Sequence, residues 1–75
     1  MNLDKLIGEK FKDKSGKLFE VTGTEGTKLI WTYSESYMPV PVTQKFEWAI
    51  FKGWLENDQF TSLANIDPIK LVEEE

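Results

Sequence analysis

The chain has 75 residues, a net charge of −4, and neither cysteine nor histidine. A chain of that length holds one domain, residues 1–75, and without those two residue types it has no disulfide framework, no Cys- or His-ligated metal, no haem or iron ligand of either type, and no Ser-His-Asp or Cys-His catalysis. All nine of its Lys/Arg residues are lysine, and its 40% apolar content and 13% aromatic content suffice for a packed core.

Taken in chain order, 3-LDKLI-7 reads as one helical turn with Leu3, Leu6 and Ile7 on one side. Phe11 sits in a short strand. The run 13-DKSG-16 has the residues a tight turn wants. Leu18 and Phe19 begin a second strand ending at Gly23, and 23-GTEG-26 reads as the next turn. In 27-TKLIWTYSE-35, Leu29, Trp31 and Tyr33 alternate with Ile30, Thr32 and Ser34, the period of a strand with one apolar face. The prolines at 39 and 41 make 37-YMPVPVT-43 an edge strand or an extended connector.

Two readings compete over 42-VTQKFEWAIFKGWLEND-58. As a strand, Val40, Val42, Phe46, Trp48 and Ile50 share a face. As a helix over 43–53, Thr43 is the N-cap, Phe46, Ala49, Ile50, Gly53 and Trp54 form a stripe, and Gly53 follows the C-terminus. The helix is the favoured reading. The tail, 69-IKLV-72, is read as a closing strand before a solvated run of glutamates.

The fold expected is therefore α+β: an antiparallel sheet of four to five strands with one short helix near 43–53, resembling a small SH3-like barrel. The alternative is an all-β SH3-like barrel with a strand through 46–50.

The stretch 7-IGEKFKDKSGKLFEVTG-23 resembles the start of small uncharacterised proteins carried by phages and mobile elements of low-GC Gram-positive bacteria. In them a Gly, a Phe, an Asp, a Gly and an aromatic-x-Val recur at this spacing. The run 40-VPVTQKFEWAIFKG-53 is similar to their passage from a β-segment into an aromatic-led helix. The resemblance implies a setting, an accessory gene, and carries no catalytic residue.

No glycine pattern matches a phosphate loop or a dinucleotide fingerprint. Asp58, Asp67 and the terminal glutamates read as ordinary solvated acids. No cofactor and no enzyme activity are expected. The N-terminus lacks a signal-peptide core and no apolar run approaches a bilayer's width, so a cytoplasmic location without membrane contact is expected.

Charge is uneven: residues 1–30 sum to +1 and residues 31–75 to −5. Without arginine and with an acidic second half, the chain is a poor match for nucleic acid. Three surfaces stand out. Lys10, Lys12 and Lys14, with Tyr33 or Tyr37 nearby, are the alternative site, for single-stranded nucleic acid. The loop 33-YSESYMP-39 carries Tyr37. The helix sets Trp48 and Phe51 opposite Phe46, Ala49 and Ile50, so one stripe is core and the other is covered by the tail or meets a partner. The leading expectation is a non-enzymatic protein-binding accessory protein. Trp48 and Phe51 are its anchors, Tyr37 adds a contact, and Glu47, Glu56 and Asp58 steer a basic partner. A homodimer through the aromatic stripe is a third reading.

Overall fold

The computed structural model describes residues 1–35, 37 and 39–73. A 3-10 turn, η1 (Leu3–Leu6), leads into β1 (Lys10–Asp13), β2 (Leu18–Glu25), β3 (Lys28–Tyr33), β4 (Val42–Glu47), α1 (Trp48–Glu56), β5 (Phe60–Ser62) and α2 (Pro68–Glu73). The five strands make one antiparallel sheet in the order β4-β3-β2-β1-β5. The expected α+β architecture is therefore present. The sheet stays open, because β4 and β5 lie at opposite edges and do not pair to close a barrel. No helix among the described residues is long and apolar enough to cross a membrane.

Local chemistry explains the elements. Asn2 caps η1 by accepting from Asp4 N at 3.1 Å. The three-residue period of a 3-10 turn buries Leu3 and Leu6 together and leaves Ile7 exposed. The β1–β2 turn is organised by Asp13, whose Oδ1 accepts from Ser15 N, Ser15 Oγ and Lys17 N at 2.7–2.9 Å, while Gly16 supplies a φ of +90°. The second strand does not stop at Gly23. It continues to Glu25 through a bulge between Val21 and Gly23, and the turn falls at Gly26, which takes the positive φ.

The rival readings of 42–58 both hold, in succession. Residues 42–47 pair with β3 in full register, and the backbone turns helical only at Trp48, where β3 has run out. The helix is thus displaced from 43–53, and Thr43 is a strand residue rather than a cap. Its true end is a Schellman motif: Gln59 N donates to Trp54 O at 2.9 Å and Asp58 N to Leu55 O at 3.2 Å, with Asp58 at φ 57°. Gly53 lies inside the helix with open space where a Cβ would stand. Gly53→Ala is therefore expected to raise stability by about 0.5–1 kcal/mol, read from urea denaturation, and an unchanged midpoint would refute it.

The tail is helical, not a closing strand. Pro68 occupies the first helical position and Asp67 caps it, accepting from Lys70 N at 3.2 Å. Val72 is buried, and its carbonyl accepts from Asn2 N at 2.9 Å.

The core sits on the sheet face under α1, η1 and α2. Phe11, Phe19, Val21, Leu29 and Trp31 point inward from the strands and meet Leu3, Leu6, Trp48, Phe51 and Val72. Lys52 Nζ reaches Glu73 Oε2 at 2.7 Å and ties α1 to α2. Lys52 chiefly holds Glu73 below its ordinary carboxylate value, Lys45 does the same for Glu25, and the Ser15 hydroxyl for Asp13. Depressed folded values give stability that is present above the ordinary carboxylate range and lost as pH falls through the folded ones. The melting midpoint is therefore expected to decline as pH drops from about 5 toward 2, and less so in Glu73→Gln. Identical profiles for the two proteins would refute the ion pair's share.

Candidate functional site

Helix α1 is too short to roof the whole inner face. Beyond it, Phe19, Trp31 and Tyr33 form a row across β2 and β3, with Phe60 beside them from β5. Phe19 stacks on Trp31 at 4.5 Å between ring centroids, and Tyr33 lies 5.0 Å from Phe19. Phe60 lies 5.4 Å from Phe19 and 5.2 Å from Trp31. Trp54, in the last turn of α1, hangs over this row, near parallel to Trp31 at 6.3 Å. The result is an open groove of about 490 Å³ with an aromatic floor, the helix as one wall and the β1–β2 turn as the other.

Its rim is polar. Lys17 Nζ sits 3.9 Å above the Tyr33 ring and is ion-paired to Glu35. Lys14, Gln44 and Gln59 complete the rim. Asp13 also faces the groove, but its Oδ1 is occupied by its own turn, which keeps the carboxylate charged. Trp54, at 36% exposure, is the ring most open to a ligand, since Trp31 and Phe19 show only 3% and 8%.

The anchors named from the sequence lie elsewhere. Trp48 and Phe51 are 5% and 0% exposed. Starting the helix at Trp48 turns residues 48, 51 and 55 to the sheet, so this stripe is core, while Ala49 and Ile50 face solvent. Phe51 meets Phe11 edge-on at 5.1 Å. The Trp48 indole N–H is buried and lies near enough to Glu73 to help hold that carboxylate below its ordinary value, but it makes no hydrogen bond of normal geometry among the described residues. Of the steering acids, Glu47 ends β4 and accepts from Thr27 Oγ1 at 2.8 Å, Glu56 is exposed on α1, and Asp58 is the left-handed residue after it. Tyr37 is 78% exposed and does not line the groove.

The lysine surface is also divided. Lys10 and Lys12 face outward opposite Glu20 and Leu18, whereas Tyr33 is on the inner face beneath Lys17. Lys14 lines the groove together with Tyr33, and Lys10 and Tyr33 both border a second depression on the sheet. Asp58 and Asp67 share a shallow depression, but among the described residues no group of three His, Cys, Asp or Glu could hold a metal.

Trp54 and Phe60 are the groove residues that sequence reasoning missed. Comparison of the chain with family models, with curated proteins and with solved structures finds no match.

Proposed function

We propose that the chain is a non-enzymatic binding module that holds a segment of a protein partner in the aromatic groove. The observation that carries this reading is the open groove itself, with Trp54 poised over Trp31 and a rim of lysines and glutamines. Large, rigid aromatic rings bury much area at small entropic cost, which suits them to contact sites. The groove replaces Trp48 and Phe51 as the contact surface. Glu56 and Asp58, at the C-terminal end of α1 beyond Trp54, supply the acidic flank that would steer a basic partner toward it. An accessory gene of a phage or mobile element and a cytoplasmic location belong to the same proposal. In it the chain acts by occupying its partner's surface.

Trp54→Ala tests it. Lysate capture on the immobilised chain, with the partner then purified and titrated, should show affinity falling at least tenfold, about 1.4 kcal/mol, in the variant. Trp54 is 36% exposed but also packs on Phe46, Phe51 and Phe60, so the titration is read on variant protein whose circular dichroism matches the wild type. A partner held equally well by both proteins would remove the groove from the site.

A further inference from the structure

The two edges of the sheet differ. β5 has only three residues, which limits what it can offer a neighbouring strand. β4 has six, all paired with β3, and among the described residues no strand lies beyond it. Trp48 N donates to Thr27 O at 2.9 Å, one rung past the Lys28–Glu47 pair. Antiparallel rungs alternate between pairs that exchange hydrogen bonds and pairs that do not. Val42, Gln44 and Phe46 therefore turn their backbone groups toward β3, and Thr43, Lys45 and Glu47 turn theirs outward.

An edge of this kind is normally guarded by proline, a bulge, an inward charge or an overhanging lysine. β4 has no proline, its residues run in unbroken register, and its inward side chains are Val42, Gln44 and Phe46. Its one lysine is drawn back over the outer face: Lys45 Nζ meets Glu25 Oε2 at 2.7 Å. Glu47 is likewise held by Thr27. Both charges are engaged with the chain's own sheet.

We propose that β4 pairs with β4 of a second copy about a two-fold axis, making one continuous ten-stranded sheet. Two two-fold registers pair five residues of each strand, centred on Gln44 or on Lys45, and the first opposes no like charges. With Gln44 on the axis, Thr43 faces the partner's Lys45, Val42 faces the partner's Phe46, and no like charges are opposed. The rungs joining Thr43 to the partner's Lys45 are those whose backbone groups point outward, so they carry the new hydrogen bonds. Moving the axis to Lys45 would set two ammonium groups side by side. This inference is independent of the groove.

The test uses the whole chain. Sedimentation equilibrium over a roughly hundredfold concentration range should show a monomer–dimer equilibrium. In the dimer the amide protons of Thr43 and Lys45 should exchange at least tenfold more slowly than in the monomer. Lys45→Pro removes an N–H that β3 does not use, and should leave a folded monomer. Lys45→Ala keeps the N–H and should still dimerise. A wild-type chain that stays monomeric, or a dimer in which the Thr43 and Lys45 amides are unslowed, overturns the proposal, as does a folded Lys45→Pro protein that still dimerises. Should Lys45→Pro fail to fold, amide exchange in the wild-type chain decides alone.

Discussion

Phe51→Ala is expected to lose about 3–5 kcal/mol of folding stability, the usual cost of truncating a buried phenylalanine. Phe51 is fully buried and meets six other rings, those of Phe11, Trp31, Phe46, Trp48, Trp54 and Phe60. It is the point at which the helix grips the sheet. A chain of this size holds only about 4–11 kcal/mol in total, at roughly 0.05–0.15 kcal/mol per residue. Urea denaturation followed by far-ultraviolet circular dichroism should show the midpoint lowered by that amount, to near zero denaturant where the wild-type stability lies at the low end of this range. A midpoint corresponding to a loss under about 1 kcal/mol would mean that the cavity had closed by repacking and that the contact set is wrong.

Trp48→Ala is expected to cost a similar amount, about 3–5 kcal/mol, and to do so without any role in binding. The indole seals the junction between α1 and α2, and Val72 and Leu3 belong to the same buried cluster. Trp48→Phe should be far milder. It keeps a ring in place and removes an N–H that is buried without a hydrogen-bond partner. The pair of variants separates volume from polarity. If Trp48→Ala keeps the wild-type melting temperature and instead loses a partner, Trp48 returns to the surface.

Much of the sheet was legible because its signals are local. Leu29, Trp31 and Tyr33 declare β3 by period alone, and Asp13 with Gly16 declares the first turn. The helix boundary was not legible, because Phe46, Ile50 and Trp54 fit a helical stripe while Phe46 in fact belongs to a strand. What fixes that boundary is the length of β3, which sits far away in sequence. The tail could have been read better. Asp67 followed by Pro68 is a helix start, and the β-branched residues after it masked that signal. The groove could not be seen at all from neighbouring residues. It exists only once β5 has joined β1 and brought Phe60 to Trp31.

That last pairing has a kinetic consequence. Strands β2, β3 and β4 form a meander whose contacts close over short loops, whereas Phe11 meets Ser62 and Asp13 meets Phe60 only after most of the chain has been drawn together. Closing a loop of roughly 45 residues instead of about eight costs some 1.5 kcal/mol more in chain entropy. Refolding should therefore proceed with the meander formed first and β5 docked last, so substitutions at Phe60 would act chiefly on the unfolding rate and those at Trp31 on the folding rate. The groove would then be the final part of the molecule to assemble and the first to open.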